Sequence, residues 1–250
     1  MTLQEFFHNN PRAALAFSGG ADSAYLLWAA REWAEDVKAY YVHSPFQPAF
    51  ELADARRLAE ELGMPMAVLE ADVLSVPGAA ANGPDRCYHC KTALFTLLKE
   101  AALADGYTLL IDGTNASDDA GDRPGMRALA ELAVRSPLRE CGVTKAEVRT
   151  RSREAGLFTW DKPAYACLAT RVPTGTAITP EALSAVEGAE NALAALGYRD
   201  FRVRLFHGAA RLELTERDFA RAAEAREAVK AALSPWFETV LLDFAVRTGG

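Results

Sequence analysis

Ala13 to Phe17 is a short apolar run that stops at Ser18-Gly19-Gly20, and a helical pattern begins at Asp22. This junction constrains the fold most. An apolar run of this length, bounded by a glycine turn, reads as a buried strand feeding a tight loop. Leu26, Leu27, Ala30 and Trp33 then recur at the spacing of one buried helix face. The alternation repeats along the first half of the chain. Val37–His43 predicts a strand, Phe50–Leu62 a helix with Gly63 as its C-cap, and Met66–Glu70 a third strand. Leu74–Asp85 has two prolines and two glycines among small residues and predicts a mobile loop. Cys90–Ala104 predicts a helix, and Thr108–Asp112 a fourth strand ending in Gly113-Thr114-Asn115. Alternating strands and helices predict an α/β fold, a parallel sheet with helices on both faces. Such sheets bind ligands at the carboxyl ends of their strands. Ser18 to Ser23, His43-Ser44 and Asp112 to Asp119 all fall there.

After Thr170 the pattern changes. Pro180–Leu196 predicts a helix, Phe201–Phe206 and Ala210–Leu214 predict strands, Asp218–Leu233 a long helix and Thr239–Phe244 a last strand. This reads as a smaller α+β domain, which divides the chain into 1–171 and 172–250.

Composition narrows the function classes. Half of the 250 residues are hydrophobic, enough for a sizeable core. No apolar run reaches the ~18 residues that span a bilayer. The opening residues lack the basic and apolar regions of a signal peptide, so a cytoplasmic protein with no membrane partner is expected. The net charge of −7 argues against a nucleic-acid partner, because gripping phosphate backbones favours a basic surface. Four cysteines, Cys87, Cys90, Cys141 and Cys167, are expected to be reduced in that compartment.

The loop Ser18-Gly19-Gly20-Ala21-Asp22-Ser23 suits an anion. Glycines let backbone approach closely, helix N-terminal amides and the macrodipole favour negative charge, and two serines add donors. Asp22 can hold a magnesium ion that in turn holds phosphate. A glycine turn with an ordinary N-cap is the plainer reading. The string resembles the SGGxDS signature of the PP-loop ATP pyrophosphatases, which cleave ATP to AMP and pyrophosphate. It is not a Walker A loop, since no Gly-Lys-Ser/Thr follows.

Cys87 and Cys90 form a CxxC just before a predicted helix, and Cys167 lies between Lys162 and Arg171. Several chemistries remain open. Structural zinc needs a fourth ligand, such as Cys141 or His89. An iron–sulfur cluster held by three cysteines leaves one iron open. Cys167 alone, beside two cations, is a candidate nucleophile, and the pair is a candidate redox motif. Buried structural cysteines are the plain alternative, which fits Cys141 best.

Beyond the phosphate loop, RCYHCK, DGTNASDD, DRPGMRALAELAVRSPLRECGVTKAEVR and GLFTWDKPAYACLATR resemble the LarE family. The resemblance is strong from Ala14 to Arg171 and looser through Phe201–Gly208 and Ala210–Glu213. It implies an ATP-dependent sulfur transferase. Such an enzyme adenylates a carboxylate of pyridinium-3,5-biscarboxylic acid mononucleotide and lets sulfur displace AMP, a step toward the nickel-pincer cofactor. The family draws that sulfur from a sacrificed cysteine or from a 4Fe-4S cluster. Cys87, Cys90 and Cys167 together resemble the cluster subtype, with an unidentified sulfide source, and a homo-oligomer is implied.

On this reading Ser18, Gly19, Gly20, Asp22 and Ser23 bind ATP and Mg2+, while Cys87, Cys90 and Cys167 carry sulfur. Ser44, Asp112, Gly113, Thr114, Asn115 and Asp118 lie at strand ends suited to ribose or metal, or are merely polar turns. Arg123 and Arg127 face a phosphate or solvent, and Arg171 is a catalytic candidate beside Cys167. Arg202, Arg204, Arg211 and Glu213 line a substrate pocket, or form the polar face of a strand. Asp243 and Arg247 are weaker candidates, because the family's acidic and glycine residues are replaced here by Phe244-Ala245. Competing readings are tRNA thiolation, a non-catalytic metal- or nucleotide-binding module, and amidation of a carboxylate.

Overall fold

In a computed structural model, which describes residues 1–118 and 124–247, the chain divides into two compact units. The first comprises Met1–Ala79 with Asp85–Ala164, and the second Ala80–Pro84 with Tyr165–Gly250. The expected boundary near Val172 falls inside the second unit, and Ala80–Pro84, from the predicted loop, belongs to that unit as well.

The first unit runs α1 (Leu3–Asn9), β1 (Arg12–Ala16), α2 (Ala21–Trp33), β2 (Asp36–His43), α3 (Ala49–Leu62), β3 (Met66–Glu70), α4 (Pro77–Ala80), α5 (Arg86–Ala104), β4 (Leu110–Asp112), α6 (Pro124–Glu131), α7 (Pro137–Glu140) and α8 (Lys145–Glu154). Its four strands are all parallel, in the order β3-β2-β1-β4. Residues alternate between the two faces of a strand, and both faces are covered here. Ala13, Leu15, Ala39, Tyr41 and Ile111 face one core with α1, α2, α3 and α8. Ala14, Tyr40 and Leu110 face the other, with Leu98 and Ala102 of α5. Strand β1 is therefore buried on both sides, which is why it reads as a continuous apolar run.

Strands β1–β4 and helices α2 and α3 fall within two residues of their predicted bounds, and Gly63 caps α3 in the left-handed conformation with φ 63°. Helix α5 begins at Arg86 rather than Cys90, so the CxxC lies inside its first turns. The predicted loop also holds a 3₁₀ turn, Val73–Ser75, capped by Asp72, and the short α4. Helix α1 went unread in the sequence despite its capping box. Thr2 Oγ1 accepts from Glu5 N at 3.1 Å, and Glu5 Oε2 accepts from Thr2 N at 2.7 Å.

The second unit contains α9 (Pro180–Ala195), β5 (Phe201–Phe206), β6 (Ala209–Leu214), α10 (Glu216–Glu224), α11 (Arg226–Leu233) and β7 (Val240–Leu242). Its sheet has the order β5-β6-β7, with β5 and β6 antiparallel and β6 and β7 parallel. His207 and Gly208 both have positive φ, 49° and 84°, as a two-residue hairpin turn requires. The predicted long helix over Asp218–Leu233 is broken at Ala225, whose ψ of 21° leaves the helical range.

Leu15 is fully buried at the centre of β1. Leu15→Ala is expected to cost about 2–5 kcal/mol, read as a lowered urea midpoint of the first unit's transition.

Candidate active site

Strand β1 pairs with both β2 and β4, and its last residue, Ala16, lies opposite Tyr40 and Asp112. The loop 17–20 therefore emerges beside the turn that begins at Gly113. Gly19 has φ 70°, and a Cβ there would lie 3.0 Å from Glu51 O of α3, so both conformation and space require glycine. Gly20 is the N-cap of α2 and supplies no side-chain cap, which leaves the first turn open to an anion. The two serines lace the loop. Ser23 Oγ accepts from Ser18 N at 3.3 Å, donates to Gly20 O at 3.2 Å, and lies 3.1 Å from Ser18 Oγ.

Gly113 explains how the second strand end comes so close. A Cβ there would stand 2.8 Å from the backbone N of Ser23. The turn that follows is polar and internally bonded. Buried Asp112 accepts from Thr114 Oγ1 at 2.6 Å and from Ser136 Oγ at 2.6 Å, so Asp112 and Thr114 are engaged with the fold itself. Asn115, also buried, receives Ser117 N on its Oδ1 and extends Nδ2 to Asp22 Oδ1 at 3.2 Å. Asp118 Oδ2 accepts from Asn115 N at 2.9 Å.

Two lysines complete the loop, and neither was assigned to it from the sequence. Lys145, the first residue of α8, reaches Asp22 Oδ2 at 2.5 Å, while its backbone N donates to Ser117 Oγ at 3.0 Å. Lys162 donates to Gly19 O at 3.2 Å and pairs with Asp54 at 2.7 Å. It therefore serves the phosphate loop, where the sequence had suggested a cation beside Cys167. The sequence signal for Lys145 was the Thr144–Glu147 capping box, which marks the start of a helix whose first residue points back to a site. Asp22 thus sits between an amide and an ammonium, and its carboxylate suits a magnesium ion bound through one side chain and phosphate oxygens.

The remaining first-unit candidates are less central. Ser44 is buried and shapes the turn after β2, accepting from Phe46 N and donating to Gln47 Oε1. Arg127, half exposed on α6, lies over the Tyr88 ring at 4.1 Å and 3.7 Å from Asp85. Asp119 and Arg123 lie outside the described residues.

Cys87 and Cys90 occupy neighbouring positions on the first turns of α5, Cys87 exposed and Cys90 half-buried. Two soft sulfur donors at a helix N-terminus suit zinc or an iron–sulfur cluster. Among the described residues, no group of three or more His, Cys, Asp or Glu stands together as a metal site. Further ligands to this pair would have to come from outside its own helix; Cys167 belongs to the second unit. The His89 ring fills the space over Gly78, where a Cβ would meet it at 2.4 Å. Cys141 packs against the first core, and burial raises its thiol pKa.

In the second unit, Cys167 precedes a 3₁₀ turn, Leu168–Arg171. Arg171 is not available to a substrate. Its side chain is fully buried and paired with Glu190 at 2.8 Å, and its Nη1 donates to Ala166 O and Thr170 Oγ1. The expectation of a catalytic Arg171 is corrected accordingly: it holds the turn. Arg202, Arg204, Arg211 and Glu213 do share one face of the β5–β6 hairpin, through the register Arg202↔Glu213 and Arg204↔Arg211. Glu213 Oε1 bridges the facing arginines, at 2.6 Å from Arg204 and 3.1 Å from Arg211. Arg247 joins this face 3.8 Å from Glu213, and Arg211 lies 3.4 Å from Asp243. Burial, together with Arg171 and Arg247, lowers the Arg202 guanidinium to about 10.

The parallel sheet, the Ser18–Ser23 loop feeding α2 and the appended α+β unit define a PP-loop protein. No protein-family model matches the chain. Three relatives align over most of it. An uncharacterized protein of Synechocystis is 40% identical over 213 residues, 85% of this chain and 80% of that one. The pyridinium-3,5-bisthiocarboxylic acid mononucleotide synthase of Lactiplantibacillus plantarum is 35% identical over 217 residues, 86% of this chain and 79% of the synthase. An uncharacterized protein of Methanocaldococcus jannaschii is 28% identical over 214 residues, 86% of this chain and 81% of its own. The chain belongs to the LarE family. No helix among the described residues is long and apolar enough to cross a membrane.

Gly113→Ala forces a Cβ onto the backbone of α2 and is expected to cost about 1–3 kcal/mol. Gly83→Ala, at a position with nothing within 4 Å, is the neutral control in the same thermal melts.

Proposed function

We propose that this chain is an ATP-dependent sulfur transferase acting on a pyridinium mononucleotide. It adenylates a carboxylate of pyridinium-3,5-biscarboxylic acid mononucleotide and replaces the activated oxygen with sulfur, giving a thiocarboxylate for nickel-pincer cofactor synthesis. One observation carries the reading: the uncapped first turn of α2 with Asp22 held between Lys145 and Asn115. The relationship to the Lactiplantibacillus synthase supports the choice of substrate.

A carboxylate resists substitution because its oxygen leaves poorly. Attack of that oxygen on the α-phosphorus of ATP releases pyrophosphate and forms an acyl-adenylate. The loop amides and both serines receive the departing pyrophosphate, and Lys145 and Lys162 balance its charge. Asp22 would hold Mg2+, with Lys145 free to turn to phosphate. A sulfur nucleophile then attacks the acyl carbon, and AMP leaves. The step needs protection from water, because water would hydrolyse the acyl-adenylate. Arg202, Arg204 and Arg211 suit the phosphate and carboxylates of the substrate, with Glu213 orienting Arg204 and Arg211.

Cys87, Cys90 and Cys167 would hold a 4Fe-4S cluster, whose chemistry when bound is to supply sulfide for the insertion. The reading includes an external sulfide source, a cytoplasmic location and a homo-oligomer.

Asp22→Ala is expected to reduce pyrophosphate release at least about a hundredfold with the melting temperature preserved. Release at the wild-type rate would remove Asp22 from the site. Anaerobic purification is expected to yield about four irons per chain, with acid-labile sulfide and visible absorbance lost in Cys87→Ala. Zinc without sulfide would instead indicate a structural metal. An absence of metal, followed by dehydroalanine at Cys167 after turnover, would make that cysteine the sacrificed donor.

A further inference from the structure

We propose that Glu190 is a positioning residue for Cys167 and acts through Arg171. The inference rests on the reading of Cys167 as a sulfur-bearing residue.

Glu190 stands on α9, where the other buried positions are Leu183, Val186, Ala189 and Leu193. A glutamate in that row is only 5% exposed and must be compensated. Four donors meet it. Arg171 Nε and Nη2 approach its two oxygens at 2.8 and 3.2 Å, Val203 N donates at 3.0 Å, and the Tyr165 hydroxyl donates to Oε2. Val203 belongs to β5, an edge strand of its sheet, so the carboxylate is registered to a strand edge. Both Arg171 and Arg202 lie over the Tyr165 ring, at 4.5 and 5.1 Å.

Arg171 carries that register to the cysteine. Its Nη1 donates to Ala166 O at 3.0 Å, the carbonyl just before Cys167, and to Thr170 Oγ1 at 2.8 Å. Thr170 Oγ1 in turn donates to the Cys167 carbonyl at 2.8 Å, and Thr170 N donates to the same oxygen at 3.0 Å. Arg204 Nη1 donates to Thr170 O. The peptide carbonyls on both sides of the Cys167 Cα are thus fixed, one by Arg171 directly and the other by the threonine it holds.

Stability alone does not account for the pair. Replacing a buried ion pair by well-packed apolar residues is often neutral or stabilising. What a bidentate guanidinium–carboxylate pair supplies is a fixed direction. A sulfur that must meet an activated carbonyl needs that, because a misplacement of about 1 Å can cost on the order of a hundredfold in rate.

The test uses the full-length protein. Glu190→Ala would strand a buried guanidinium, so the informative variant is the double replacement Glu190→Leu with Arg171→Met. Three quantities are compared with wild type: thermal melting, thiocarboxylate formation relative to pyrophosphate release, and iodoacetamide alkylation of Cys167 read by peptide mass. We expect a retained melt, thiocarboxylate formation down about a hundredfold against a far smaller change in pyrophosphate release, and severalfold faster alkylation of Cys167 with Cys141 unaltered. A folded double variant with wild-type transfer and wild-type alkylation would overturn the proposal. If the double variant does not fold, Thr170→Val, which removes the hydroxyl between Arg171 and the Cys167 carbonyl, carries the same expectation and the same refutation. Cys167→Ala separates the two levels. Transfer that survives it sinks the sulfur-bearing reading; transfer lost there but intact in the positioning variants sinks the Glu190 proposal alone.

Discussion

The first unit depends on β1 lying between two cores. Ala13 and Leu15 meet one layer of helices and Ala14 the other, and the small side chains let both layers close over the strand. A strand so placed has a fixed register with β2 and β4. Its end therefore delivers the phosphate loop to one spot, beside the Gly113 turn. From that follow the contact of Gly113 with Ser23, the reach of Asn115 to Asp22, and the arrival of Lys145 from α8. The site is a product of strand register before it is a product of any one side chain.

Arginine is used in two ways in the second unit. Arg171 is wholly enclosed and spends its donors on a carboxylate, a carbonyl and a hydroxyl of its own unit. Arg204 and Arg211 are partly open, share one glutamate, and belong to a hairpin face that also carries Arg202, with Phe206 and Ala209 at its turn end. Like charges opposite one another on adjacent strands repel, and Glu213 offsets that repulsion. An anion arriving at this face would meet guanidiniums already oriented.

Much of this was legible in the sequence. The β-α alternation, the loop at Ser18, the Gly63 cap and the later α+β pattern rest on local signals, namely period, turn residues and caps. What escaped depends on contacts distant in the chain. Lys145 and Lys162 meet the phosphate loop from more than a hundred positions away, and no spacing rule announces them. Arg171 read as a catalytic cation because it neighbours Cys167, but its burial against Glu190 is visible only once α9 packs on β5. The break at Ala225 was hidden by good helix formers on both sides, and α1 by its short length.

Ala80–Pro84 enters the second unit from the middle of the first unit's sequence. Asn82, fully buried with φ 56°, donates to the carbonyls of Val172, Pro173 and Thr176, while Gly175 N and Ile178 N return to Asn82 O and Ala80 O. A five-residue insert thus serves as a splint for the stretch that leads into α9. The second unit is consequently not a portable module: a fragment starting at Tyr165 would leave those carbonyls and amides without their partners. The chain passes between the units three times, so each unit is assembled from two segments separated in sequence, and the second combines a piece made early in translation with the last part of the chain.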